Sequence, residues 1–550
     1  MADQRQNKRH EQGSTRHGSS RHGESGRNRR RDSGRRGQSR KRQNRSQPGT
    51  QRRSGKSQNS DGKLSLLVIG SGGREHALVW KLSQSDKVGK IHAAPGSSAI
   101  SELARCVDIK IDKVKELAQY AYRNHIQLTV VGPEIPLEAG IVDEFTRRKL
   151  KIFGPTKAAS ELEWSKSFSK EFMRRHNIPT GSFRVFTNPN HAITFCRTAP
   201  YPLVIKADGL AAGKGVVVVD DFIEACKSID DFMTRRKFGK AGAKIVVEEF
   251  LCGREVSVMC FSDSEKIWAL LPSQDHKRIG EGDSGPNTGG MGAYCPVEFV
   301  DEVLMREITS RVLAPCIAGL ASEGRPYKGV LYAGLMLTEN GPKVLEFNCR
   351  FGDPETQVVL PLLKSDLAQI MLKIANHQLP GPSKKTQKPP PDAENRLAKK
   401  SVPEEKEDTT QERAEPIYLR DLVSDYEYDP ESDAATAAEH TLEWRPGAAA
   451  TVTLASEGYP GKASIGKKIS GISSKSDASS IVFHAGSRKI NGAWVTSGGR
   501  VLNVTGLGPT IAGALSAAYA TVGKISFSGM QYRRDIGRQV SDRKIEKAVK

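Results

Sequence analysis

Apolar residues fall along this chain in distinct regimes. The first 60 residues contain no Leu, Ile, Val, Phe, Tyr or Trp. Such a segment cannot bury enough apolar surface to offset the entropy of ordering, so a disordered tail is expected over 1–63. From residue 64, strand-sized apolar runs at 64–69, 91–94 and 129–131 alternate with helical patterns near 74–82 and 114–124. Strands alternating with helices predict a parallel α/β sheet, placed here in an N-terminal domain over 64–164. A second α/β portion runs over 165–380, with strands expected at 203–205, 216–219 and from 245. Residues 381–440 read as a linker or insertion: 383–415 carries Pro389-Pro390-Pro391, eight basic and eight acidic residues and no aromatic. A strand-rich C-terminal domain follows over 441–537, with strands at 449–455 and 480–484. An Asn491-Gly492 hairpin signal and a helix near 510–522 complete it. Residues 538–550 form a basic tail. No apolar run approaches the roughly 18 residues of a membrane span.

Charge sharpens the first boundary. Of the net +21, the first 60 residues contribute +14, from 18 Lys/Arg against Asp3, Glu11, Glu24 and Asp32. Runs such as Arg29-Arg30-Arg31 attract phosphate backbones or other polyanions. The segment has no apolar h-region of a secretory signal and no apolar face of a transit helix, although its Arg/Ser richness leaves organelle targeting open. It also lacks aromatics for base stacking. The eight cysteines form no C-x-x-C pair, so free thiols in a reducing compartment are expected and neither a zinc nor a redox motif is indicated. A cytoplasmic location follows from these readings.

Five segments carry candidate chemistry. At 68–76, a strand runs through Gly70-Ser71-Gly72-Gly73 into a helix starting with Arg74, which exposes backbone N–H groups and a helix N-terminus to an anion. A dinucleotide fold would want glycine at Glu75 and an acid after the second strand, so a smaller phosphorylated ligand fits better. The turn can also serve without a ligand. At 206–216, Lys206 and Lys214 flank a Gly/Ala-rich loop between two strands, able to fold over a triphosphate or to stay a flexible hairpin; with no G-K-[ST] and no following helix it is not a Walker A loop. At 245–257, an apolar strand ends in Glu248-Glu249, a solvated edge or a receiver of nucleotide amine and hydroxyl groups. At 343–355, alternation puts Glu346, Asn348 and Arg350 on one strand face, opposite Leu345 and Phe347. Two neighbouring oxygen ligands suit Mg²⁺, and Arg350 suits a phosphate or carboxylate. At 275–293, Asp275-His276-Lys277-Arg278 opens a long glycine-rich loop containing Gly290 and Gly292, read as unstructured and able to close over a substrate.

These blocks occur in one order. G-S-G-G-R-E-H-A, V-G-P-E-x-P-L (131–137), F-G-P-T (153–156), K-A-D-G-L-A-A-G-K-G-V, D-H-K-R, T-G-G-M-G-A-Y and L-E-F-N-C-R-F-G-D-P-E-T-Q resemble the phosphoribosylamine–glycine ligase family. H-A-G (484–486), T-S-G-G-R-V-L (496–502) and G-M-Q-Y-R-R-D-I-G (529–537) resemble that family's C-terminal part. The resemblance covers about 64–380 and 441–537. It implies ATP-grasp central domains over 165–380, with an ATP lid subdomain at about 184–250. It also implies an ATP- and Mg²⁺- (or Mn²⁺-) dependent ligation in purine biosynthesis. Glycine's carboxylate would attack the γ-phosphate, and the amine of 5-phosphoribosylamine would displace phosphate from glycyl phosphate. In this resemblance Lys166 and Lys206 look like the ATP-phosphate lysines, and Gly209, Gly213, Lys214 and Gly215 like parts of the lid loop. Glu248 and the backbone at Leu251 would take the adenine and Glu255 the ribose, with Glu249 also counted among the ATP-binding residues. Glu346 and Asn348 would be the metal ligands, with Arg350 and Lys206 stabilising the transferring phosphoryl group. Gly70, Gly72, Gly73, Arg74, Glu134, Asp275, Gly290, Gly292 and Arg350 would hold phosphoribosylamine.

The strand before Glu346 reads Tyr332-Ala333-Gly334-Leu335, without the further acidic metal ligand of many ATP-grasp enzymes, which leaves a second metal's ligand set open. The 1–60 and 383–440 segments lie outside the family pattern. The chain ends soon after Arg534-Asp535-Ile536-Gly537, so a monofunctional enzyme is expected, as monomer or homodimer. The rival readings are another ATP-grasp carboxylate–amine ligase or carboxylase, and a nucleic-acid-binding protein using the basic tail.

Overall fold

The computed structural model describes residues 62–210, 215–377, 442–473 and 479–538. Apart from residues 62, 63 and 538, the expected tails lie outside the described residues, as do the 381–440 insertion and the candidates Gly213 and Lys214.

The first layer is a five-stranded parallel sheet in the spatial order Arg105–Cys106, Val88–Pro95, Leu64–Gly70, Leu128–Val131, Ile152–Phe153. Leu64–Gly70 is central and buried from Ser65 onward, which is why it reads as a continuous apolar run. The glycine turn leaves its carboxyl end where the strand order reverses, the place at which open α/β sheets bind ligands. Helix Gly73–Leu82 continues from it.

Two antiparallel four-stranded sheets follow. One has the order Phe183–Phe186, Ile245–Glu249, Leu203–Ala207, Val216–Val219; the other Ile267–Ala269, Arg254–Asp263, Lys328–Thr338, Gly341–Asn348. They are joined where Thr180 Oγ1 donates to the Val344 carbonyl at 2.6 Å and the Val344 amide to the Pro179 carbonyl at 2.7 Å. Lys206↔Val216 registers the two strands that flank the Gly/Ala loop.

The fourth sheet crosses the sequence partition. Its order is Gln274–Asp275, Gly292–Cys295, Ala448–Ala455, Arg500–Gly508, Ser480–His484, so two strands from the 165–380 portion pair into the C-terminal sheet. Helix Ile511–Val522 packs on this sheet so closely that a Cβ at Gly506 would lie 2.5 Å from the Ala518 amide nitrogen. The hairpin at Asn491-Gly492 is present, both residues having positive φ, between Ser487–Ile490 and Ala493–Thr496. The 275–293 segment is not structureless: Arg278–Gly280 and Ser284–Asn287 form a two-stranded ribbon. No hydrophobic periodicity announces it, because its strands are polar and exposed to half-buried.

Phe153, Phe261 and Phe351 meet with ring centroids 6.0–6.4 Å apart, fastening the first sheet to an antiparallel sheet and to the Arg350 segment. Burying each ring contributes about 2–3 kcal/mol. Among the described residues no helix is long and apolar enough to cross a membrane.

Candidate active site

Lys166 opens helix Lys166–Arg175, capped by Ser165, whose hydroxyl accepts from the Phe168 amide at 3.2 Å. Asp208 ties this helix start to the Gly/Ala loop. It accepts from the Ser167 amide at 2.9 Å and hydroxyl at 2.7 Å, and pairs with Lys244 at 3.1 Å. One turn beyond Lys166, buried Lys170 reaches Glu248 at 2.7 Å and Thr180 Oγ1 at 2.7 Å. Glu248 also pairs with Lys206 at 3.0 Å, and Lys206 Nζ donates to the Leu345 carbonyl at 2.9 Å. Burial brings Lys170 down to about 8 against the attraction of Glu248, and the Lys206 charge adds to the lowering. Glu248 Oε1 is buried without a donor, so this carboxylate still has an acceptor to offer a ligand.

Lys166, Lys170, Lys206, Glu248, Glu346 and Phe347 line a narrow cavity between the two antiparallel sheets. The register there slips: Gly334 faces Glu346 while Leu335 faces Val344, leaving Leu345 as a bulge. The simple alternation expected for 343–350 is therefore corrected. The bulge frees the Leu345 carbonyl for Lys206, and the strand ends at Asn348. Arg350 lies in the bend beyond, yet its Nη2 returns to Asn348 Oδ1 at 3.2 Å. Burial pushes the Glu346 carboxyl up, but Lys277, Lys166, Lys206 and Arg350 outweigh burial and hold it at about 2. No cation or donor bonds that carboxylate among the described residues. An ionised, unpaired carboxylate beside an amide oxygen fits a hard cation completed by oxygens from a ligand. Among the described residues no cluster of three or more His, Cys, Asp or Glu could hold a metal by itself.

Arg350 connects this cavity to the glycine turn. It bonds Glu163 at 3.0 Å and Glu134 at 3.2 Å. Burial raises the Glu163 carboxyl, whereas for Glu134 the Arg350 and Arg74 charges overcome burial and lower it. Arg74 donates to Glu75 at 2.6 Å and to the Phe351 carbonyl at 3.1 Å. The turn itself differs from expectation. Glu75 accepts from the Gly72 amide at 2.6 Å, and its carboxyl fills the cradle against Gly70 and Gly132, where a Cβ would collide with it. The anion held there is the chain's own carboxylate, from the position where a dinucleotide fold has glycine.

Asp275 stands in a short strand at the same junction. Gly290, with φ +109°, covers it, and a Cβ there would lie 2.7 Å from Asp275 Oδ1. Beside it, Arg500 holds Asp353 at 3.1 Å and also donates to the carbonyls of Gly289 and Asp353. Lys277 pairs with Glu255; burial opposes its charge, but Glu255 and Glu346 raise its pKa.

The remaining candidates separate. Glu249, next to inward Glu248 on one strand, accepts from the Ser182 amide at 3.0 Å and pairs with Lys343 at 3.2 Å, outside the cavity lining. Leu251 is buried just after this strand. Gly209 (φ +152°) and Gly215 flank the loop, and the Gly215 carbonyl accepts from the Ala207 amide at 2.8 Å. Gly73 packs against Asn503 and Gln357, and Gly292 lies within the fourth sheet, 2.6 Å from the Thr451 carbonyl if given a Cβ. Sequence reading did not select Glu163, Lys170, Lys277, Asp353 or Arg500. Lys170 sits four residues from Lys166 on one helix face, a usable signal. Lys277 and Arg500 lie in the quoted D-H-K-R and T-S-G-G-R blocks, but nothing local shows which residue of each block turns inward.

Three family models match the chain: phosphoribosylglycinamide synthetase N domain over residues 64–163, its ATP-grasp (A) domain over 164–356, and its C domain over 449–539. A curated relative, phosphoribosylamine–glycine ligase of Caldanaerobacter subterraneus, is 43% identical over 473 residues, 86% of this chain and 99% of that protein. The human trifunctional purine biosynthetic protein adenosine-3 is 44% identical over 475 residues, again 86% of this chain but 41% of that longer protein. The crystal structure of phosphoribosylamine–glycine ligase from Thermotoga maritima aligns with TM-score 0.66 and 28% identity, covering 86% of this chain and 100% of that one. A biotin carboxylase from Campylobacter jejuni shares the fold at TM-score 0.59 and 13% identity, covering 85% and 92%.

Proposed function

The chain belongs to the phosphoribosylglycinamide synthetase family, and we infer that it joins glycine to 5-phosphoribosylamine at the expense of ATP, a step of purine biosynthesis. The observation that carries the site assignment is the meeting of two halves at Arg350. A lysine-lined cavity holding an ionised carboxylate lies on one side, and the glycine turn with its acidic and basic side chains lies on the other.

In this reading Lys166 and Lys206 neutralise ATP phosphates, with the loop containing Gly209, Gly213, Lys214 and Gly215 folding over them. Glu248, through its free oxygen, and the backbone at Leu251 receive the adenine; Glu255 takes the ribose. Glu249, turned outward, supports the strand end. Glu346 and Asn348 would hold Mg²⁺ or Mn²⁺, which when bound neutralises charge on the nucleotide phosphates. Glycine's carboxylate attacks the γ-phosphorus, and Arg350 and Lys206 face the charge that develops. The chain needs no nucleophile of its own; it positions reactants and supplies fixed charge. Gly70, Gly72, Gly73, Arg74, Glu134, Asp275 and Gly290 enclose phosphoribosylamine. Glu75 shapes that enclosure, and Gly292 spaces its wall. Closure limits hydrolysis of the acyl phosphate.

We place the enzyme in the cytoplasm as a monomer or homodimer, with segment 1–60 a contact for polyanions. The carboxylase alternative is supported only by fold likeness. Purified protein should release ADP only when glycine and freshly generated phosphoribosylamine are both present. ADP release driven by bicarbonate, with no glycine requirement, would overturn the reading.

A further inference from the structure

Amide formation needs a proton acceptor. As the amine nitrogen bonds to the glycyl carbonyl carbon it becomes positively charged, and a proton must leave it. The carboxylates near Arg350 are mostly engaged already: Glu163 and Glu134 with Arg350, Glu75 with Arg74, Asp353 with Arg500, and Glu255 with Lys277. Glu355 accepts from Tyr332 Oη at 2.7 Å and Ser257 Oγ at 3.3 Å. Among the described residues, Glu346 and Asp275 are the carboxylates here that bond neither a cation nor a donor.

Their surroundings have opposite sign. Four cations face Glu346, which suits it to a metal. Asp275 sits under Gly290, against which Pro354 also packs, with Oδ1 buried and unpartnered. The groups facing it are Glu355 and Glu255 on the negative side. Lys277 and Arg500 face it on the positive side, each already paired with another carboxylate. Burial, then Glu355, lifts the Asp275 carboxyl well above the ordinary range, with Glu255 adding and Lys277 and Arg500 opposing. Two carboxylates pushed apart by their environments divide ionic from proton-transfer work. Neighbouring His276 is turned elsewhere: its Nε2 accepts from the Gly537 amide at 3.2 Å, and burial holds it at about 4.

We propose that Asp275 accepts the proton of the second half-reaction, an inference that rests on the ligase reading above. The C–N bond forms, phosphate departs with the electron pair of the C–O bond, and the nitrogen's proton passes to the Asp275 carboxylate.

The test is Asp275→Asn, measured in two assays. Glycinamide ribonucleotide formation should fall about 10²–10⁴-fold, and the acid limb of the pH–rate profile should disappear from the residual activity. Glycine-dependent migration of ¹⁸O between the bridging and non-bridging β-phosphate positions of ATP, with saturating amine-free ribose 5-phosphate in the sugar site, should fall far less than amide formation does, by no more than about tenfold. Asp275→Glu, which keeps a carboxylate, should recover part of the rate. Unchanged amide formation in Asp275→Asn overturns the proposal. So does an equal loss of both assays in a variant that still binds ATP, or an Asp275→Glu no faster than Asp275→Asn. Absence of glycine-dependent migration in the wild type would instead strike the ligase reading, and this inference with it.

Discussion

Glu346→Gln removes one charge from the centre of the cavity while keeping the side chain's size. Its carboxyl is held at about 2, against 4.5 ordinarily, despite burial. That difference corresponds to about 3 kcal/mol favouring the ionised form. Glu346 keeps some exposure to the cavity, so about 2–3 kcal/mol is the working figure. The folded-state value is depressed, so this stability is fully present above pH 4.5 and is lost as pH falls toward 2. Urea titrations of wild type and variant should therefore differ by about 2–3 kcal/mol at pH 7, and by progressively less below pH 4.5. Turnover should fall at least about tenfold, equivalent to about 1.4 kcal/mol of transition-state stabilisation, and half-saturating Mg²⁺ should rise. A variant with wild-type turnover, the same Mg²⁺ dependence and no stability difference at pH 7 would refute both the cation ring and the metal assignment.

Arg350→Met leaves Glu163 buried without its cation, and should cost about 3–5 kcal/mol in urea denaturation; adding Glu163→Gln should restore part of it. His76 is buried and accepts from the His484 amide at 2.9 Å; burial holds it at about 4. Because the unfolded chain binds that proton near 6.5, His76 destabilises the fold as pH drops from 6.5 toward 4. His76→Asn, which keeps an acceptor, should reduce the acid loss by up to about 3 kcal/mol in pH-dependent thermal melts. A chain lacking residues 1–60 should keep its kcat; loss of activity would favour the rival reading in which that segment binds a nucleic acid.

Much of this architecture is written locally. The central strand Leu64–Gly70 announces itself because it is buried on both faces, and the Gly/Ala hairpin because Lys206 and Val216 bound it. Asn491-Gly492 encodes its turn through positive φ. What escaped reading is long-range or depends on register. Glu75 looks like an ordinary helical acid until its carboxylate is seen filling the glycine cradle. The Leu345 bulge leaves no mark in an alternating strand, yet it frees the carbonyl that holds Lys206. Lys170 and Lys206 meet at Glu248 across some 40–80 positions of sequence, and Arg500 reaches Asp353 across about 150, because sheet packing and not spacing brings them together. The fourth sheet could not be divided at residue 441 from composition, since Gly292–Cys295 pairs with Ala448–Ala455 across the composition break.

In the proposed reaction the γ-phosphoryl group passes to glycine's carboxylate between the two four-stranded sheets, and glycyl phosphate then meets the amine. Turnover with glycine labelled with ¹⁸O in both carboxylate oxygens tests this transfer most directly. One ¹⁸O should appear in each phosphate released and one should remain in the new amide carbonyl. Unlabelled phosphate accompanying amide formation would contradict it.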